Sequence, residues 1–184
     1  MRRVRSSPRR NSSPPLALVR GLAQQLADMG AKAKRTYLVV VDDSAESRVA
    51  LRFAARRAVK TGGKIEVLGI VEAQDFVQFG GVQSAIEEEQ RLRIEGVVSS
   101  AVGEILDQSG MEANVIIRQG EAVKAVRDYV SGRDDVAALV LGAAPSGNPG
   151  PLVANFTGND AGLFPCPVMI IPGSLSDERL EALS

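Results

Sequence analysis

From Thr36 onward, short continuous apolar runs alternate with stretches whose apolar residues recur every three to four positions. The runs "YLVVV", "KIEVLGIV", "ANVIIR", "VAALVLG" and "CPVMII" predict five strands. Between them, "SAESRVALRFAARRAVK" predicts a helix with Ala50, Leu51, Ala54, Ala55 and Ala58 on one stripe, stopped by Gly62 and Gly63. A longer helix is predicted over about 84–108, with Ile94, Val97, Val98, Ala101 and Ile105 on one face, and a third over "EAVKAVRDYVS". A Gly/Pro-rich loop with a short helical turn, residues 143–164, precedes the last strand. Uninterrupted apolar strands are buried on both faces, and parallel neighbours need a crossover. The pattern therefore predicts an α/β fold, an open five-stranded parallel sheet with helices on both faces.

Length adds one constraint: 184 residues suffice for one well-buried domain with appendages. The expected organisation is a basic extension over 1–35, a domain over 36–173 and a short amphipathic tail over 174–184. Charge is split along the same line. Residues 1–35 carry nine Lys/Arg against Asp28 alone, and the remainder carries 13 basic and 21 acidic residues. Nucleic acid is therefore not the expected partner of the main domain. The opening "MRRVRSSPRRNSSPP" reads as disordered, a loose leader or a stretch before a native start at Met29 in preference to a nucleic-acid-binding arm or targeting peptide; "PLALVRGLAQQLADMG" can form a short helix through Leu18, Leu22 and Leu26. With no apolar run of the roughly 20 residues that span a bilayer, and no clean signal peptide, the expectation is a soluble cytoplasmic protein without a membrane partner.

There is no histidine and Cys166 is the single cysteine, which excludes a disulfide, a Cys/His zinc site and any His-dependent catalytic triad within the chain. Cys166, between two prolines at the start of a buried strand, reads as a packing residue. Glu87, Glu88 and Glu89 point in different directions on a helix and read as a solvated face. Phe76 and Phe79, after the second strand, either cover a ligand crevice or dock on the sheet edge.

The chemistry sits at "VVVDDS", where Asp42 and Asp43 follow the first strand. In open α/β sheets, ligands bind beyond the carboxyl ends of the strands where the strand order reverses. Asp42 lies at such an end, whereas Asp43, with Glu46 three residues on, fits a helix cap, as does Ser44. The stretch resembles a receiver domain, but the third strand ends Arg118, Gln119, Gly120 and the fifth Ile171, Pro172, Gly173, without the aspartate and lysine that mechanism needs.

A second resemblance spans residues 36–173. "VVVDDSAESRVAL", "KIEVLGIVEA", "VIIRQGEAVKAVRDYV", "VAALVLGAAPSG" and "PCPVMIIPG" are similar, in order and spacing, to the universal stress protein family. The resemblance implies a Rossmann-like, adenine nucleotide alpha hydrolase-like sheet in the order 3-2-1-4-5, with a crevice between strands one and four. It further implies that Asp42 reaches the adenosine part of a nucleotide and that Ile70 offers a backbone contact to adenine. After strand four, nucleotide-binding members carry G-x-x-G, nine residues, then G-[ST]. Here Gly142 opens the loop, and Pro145, Ala154 and Asn155 fall at the following positions; a second register uses Gly147 and Gly150, then Gly158 and Asn159, with a shorter spacer. Pro145, Pro149 and Pro151 have no N–H to offer a phosphate, and no Lys or Arg occurs between Arg133 and Arg179.

The nucleotide-site expectation thus comprises Asp42, Ile70, Gly142, Gly147, Gly150 and Asn155, for ATP or another adenine nucleotide with Mg²⁺. The family further implies a homodimer through the apolar edge strand 167–171, and a cytoplasmic stress-response regulator acting through ligand state and partner contacts. The alternatives are a ligand-free dimeric scaffold and a weak Mg²⁺-dependent ATPase.

Overall fold

The structure, a computed structural model, describes residues 35–72, 80–158 and 161–184, without the side chains of 80–83. The extension 1–34, Phe76, Phe79, Asn159 and Asp160 lie outside the described residues.

Five strands, β1 (Thr36–Val40), β2 (Lys64–Val71), β3 (Ala113–Gln119), β4 (Val136–Ala143) and β5 (Val168–Pro172), pair in parallel in the order β3-β2-β1-β4-β5. The helices between them are α1 (Ala45–Thr61), α2 (Gly80–Ser109), α3 (Ala122–Val130) and α4 (Pro151–Phe156), and α5 (Asp177–Leu183) follows β5. The expected sheet and its strand order are both present, and α2 begins about one turn earlier than the apolar pattern predicts. Among the described residues no helix is long and apolar enough to cross a membrane.

Alternation along β1 sorts the core into two layers. Tyr37 and Val39 face a cluster built with α1, α2 and Leu180 of α5; Leu38 and Val40 face one built with Val126 and Val130 of α3 and Val153 and Phe156 of α4. The alanine stripe expected on α1 is buried throughout, which lets that helix lie close to the sheet. α1 stops at Gly62, whose φ of 65° is left-handed and suits glycine, and the amide of Gly63 closes the end on the Ala58 carbonyl at 2.9 Å. β3 and β5 are the sheet's two edges. Residues 174–184, set apart as a tail by sequence, instead carry a core residue: Leu180 is fully buried against the α1 layer. Cys166 is half-buried against the α3–α4 layer, and burial pushes its thiol up, in keeping with a packing role.

Candidate functional site

β1 and β4 are neighbours, yet their connections leave on opposite faces of the sheet, α1 to one layer and α4 to the other. The chain therefore opens a crevice of about 430 Å³ beyond the carboxyl ends of β1, β2 and β4. Its size falls within the range of about 300–1,000 Å³ common for small-molecule sites.

Asp42 is placed by the strand-to-helix turn. Its Oδ1 accepts from the Ser44 amide at 3.0 Å and from Ser44 Oγ at 2.5 Å. Ser44 Oγ in turn accepts from the Ser47 amide at 3.2 Å, which makes Ser44 the N-cap of α1. This corrects the expectation for Asp43: its side chain pairs with Arg93 of α2 instead. Both partners of that pair are mostly exposed, so it contributes roughly 0–1 kcal/mol. The turn thus separates the two aspartates, one held toward the strand end and one turned to a neighbouring helix.

Ile70 lines the same crevice from β2. The β1 ladder ends at Val40 opposite Leu68, with the Val41 amide donating to the Leu68 carbonyl at 3.0 Å. Backbone direction repeats every two residues along a strand. The peptide groups of Ile70 therefore point the same way as those of Leu68, past the end of the ladder and into the crevice.

Gly142 lies at the opposite wall, but its conformation serves packing first. A Cβ there would strike the Glu46 carbonyl and sit 2.8 Å from the Ser47 amide nitrogen, so the first turn of α1 can approach β4 only over a glycine. Gly150 also lines the crevice, at the start of α4, with its amide donating to Asn148 Oδ1 at 3.1 Å. Gly147 and Asn155 do not line it; the Asn155 Oδ1 accepts from Arg127 Nη2 at 3.3 Å. The crevice thus brings together Asp42, Ile70, Gly142 and Gly150 of the expected set. Sequence reasoning missed Arg93 and Glu72, which also line it. The signal for Arg93 is faint: it precedes Ile94, a member of the apolar face of α2. Among the described residues no three acidic or cysteine side chains gather into a metal-holding group.

A family model described as the universal stress protein family matches residues 34–172. Universal stress protein UspA from Lactobacillus plantarum is similar in structure, with 19% identity, coverage of 74% of this chain and 97% of that one, and a TM-score of 0.63. The universal stress protein from Archaeoglobus fulgidus in complex with dAMP shares 19% identity over 75% of this chain and 97% of its own, with a TM-score of 0.53. An Arabidopsis thaliana universal stress protein family protein with AMP bound shares 15% over 78% and 94%, with a TM-score of 0.51. No curated protein matches in sequence. The match of the family model across the whole sheet, joined to a strand order of 3-2-1-4-5, shows that the chain belongs to the universal stress protein family.

Proposed function

We propose that the chain is a stress-response regulator of the cytoplasm that binds an adenine compound in the crevice at the ends of β1, β2 and β4. The observation that carries the reading is the convergence of Asp42 with the crevice-facing backbone of Ile70. A backbone amide and carbonyl suit the hydrogen-bonding edge of adenine, and a carboxylate suits ribose hydroxyls. Asp42 uses Oδ1 within its own turn, and among the described residues Oδ2 is not engaged. Members of the same fold carrying AMP and dAMP support the adenine reading. The test is calorimetric titration with adenosine, AMP, ADP and ATP. Asp42→Ala is expected to weaken binding at least about tenfold, as loss of a charge-assisted hydrogen bond would. Unchanged affinity in that variant would remove Asp42 from the site.

The reading includes a homodimer through β5, whose outer edge pairs with no strand among the described residues and whose Val168, Met169 and Ile170 are only half-buried. Apolar edges of this kind are association sites unless covered. Sedimentation equilibrium is expected to return a dimer at micromolar concentration, and a monomer would count against it. Lysine at Ile171 would be a poor probe, because that side chain is buried in the core.

A further inference from the structure

Among the described residues, the crevice supplies Asp42 and the Ile70 backbone for a nucleoside but carries more negative than positive charge. Several of the groups after β4 that could meet a phosphate are committed elsewhere or missing. Pro145, Pro149 and Pro151 have no N–H. The Gly150 amide is given to Asn148, and the Ala144 amide donates to the Pro149 carbonyl at 3.4 Å. Gly142 is occupied by the approach of Glu46 and Ser47. The charged side chains that line the cavity are Asp42, Asp43, Glu46, Glu72 and Arg93. Arg93, the single cation of that lining among the described residues, is paired with Asp43. Asp42, Glu46 and Glu72 are left without a cationic partner among the described residues.

From this distribution of charge we infer that the crevice selects an adenine nucleoside lacking a 5′ phosphate, and discriminates against the corresponding nucleotides. The inference rests on the adenine reading above and narrows its ligand class. A nucleoside uses Asp42 and the Ile70 backbone without adding charge. Each phosphate brings negative charge toward unneutralised carboxylates, so repulsion grows from monophosphate to triphosphate. The effect is electrostatic and must weaken with salt, since the screening length is about 10 Å at 0.1 M.

Calorimetric titration of the full chain with adenosine, AMP, ADP and ATP, at low salt and without divalent cations, tests the inference. Affinity is expected to fall in that order, with ATP at least about tenfold weaker than adenosine and the gap narrowing in about 0.5 M salt. Replacing both carboxylates, Glu46→Gln with Glu72→Gln, is expected to raise the ratio of ATP to adenosine affinity by at least about threefold, a change that a general loss of structure would not produce. Equal or tighter binding of ATP by the wild-type chain overturns the charge selection while leaving the adenine site standing. If no adenine compound binds, the adenine reading fails and the selection fails with it. A ratio that is indifferent to both salt and the double substitution also overturns the selection.

Discussion

Replacing Arg133 with alanine is expected to destabilise the domain by about 1–3 kcal/mol at neutral pH, between the values for exposed and for buried ion pairs, because its pairs with Glu66 and Asp135 are part-buried. Arg133 stands between α3 and β4 and binds both oxygens of Asp135, Nε to Oδ1 at 3.0 Å and Nη2 to Oδ2 at 2.6 Å. Its Nη1 donates to Glu66 Oε2 on β2 at 2.6 Å, and its guanidinium lies 4.9 Å above the Tyr129 ring. Tyr129 donates to the same Glu66 oxygen at 2.9 Å, and Thr36 at the start of β1 donates to Asp135 at 3.0 Å. One guanidinium therefore ties three strands and a helix end, and Glu66, with 15% of its side chain exposed, is left poorly solvated without it.

The pH dependence carries the sharper test. Burial pushes the Glu66 carboxyl up, but the hydrogen bonds from Arg133 and Tyr129 and the guanidinium charge together hold it below its ordinary value. The Arg133 hydrogen bond likewise lowers Asp135, against a smaller opposing effect of burial. Carboxyls lowered on folding add stability that is present above their unfolded values, about 4.3 for Glu and 3.9 for Asp, and that is lost as pH falls through the folded values. In the alanine variant the guanidinium hydrogen bond and charge that hold Glu66 down are gone, so protonation there costs the fold less. The difference in unfolding free energy between wild type and variant should thus be largest near pH 7 and shrink below about pH 4.5. Urea melts between pH 3 and pH 7 measure it, and a constant difference across that range would show that the pair is not responsible.

Leu180→Ala is expected to cost about 2–5 kcal/mol, the range for truncating a fully buried leucine. At seven residues α5 is too short to hold its helix alone, so its stability comes from docking. Two kinds of contact dock it. Asp177 lies 3.4 Å from Arg52 and 3.3 Å from Arg56, and Glu181 lies 3.3 Å from both Arg56 and Lys60. The two acids are nearly two-thirds exposed, and such pairs contribute about 0–1 kcal/mol each. The leucine therefore outweighs the charges. Urea melts should show Asp177→Ala below about 1 kcal/mol and sensitive to salt, and Leu180→Ala larger and indifferent to it. The opposite ranking would make α5 an electrostatic latch.

The succession of elements is legible in the sequence because burial on two faces leaves uninterrupted apolar strands, and burial on one leaves a helical stripe; Ala50, Leu51, Ala54, Ala55 and Ala58 are the clearest case. The position of Asp42 is legible for a related reason: a polar residue directly after a buried strand marks the strand's carboxyl end. Strand order follows from the resemblance of five segments in register, and the topology bears it out. Other features have no linear trace. Asp43 and Ser44 are equally good caps by residue type, and only the turn geometry assigns the cap to Ser44. Gly142 matches a phosphate-loop position, while the contact that requires a glycine there comes from Glu46, far away in the chain. Arg93 meets Asp43 across 50 residues, and Leu180 finds its socket on a helix that ends at Thr61. Periodicity reports which side of an element is buried because that depends on local backbone geometry alone. Which residues meet across elements depends on how the layers pack, and only the tertiary structure decides that.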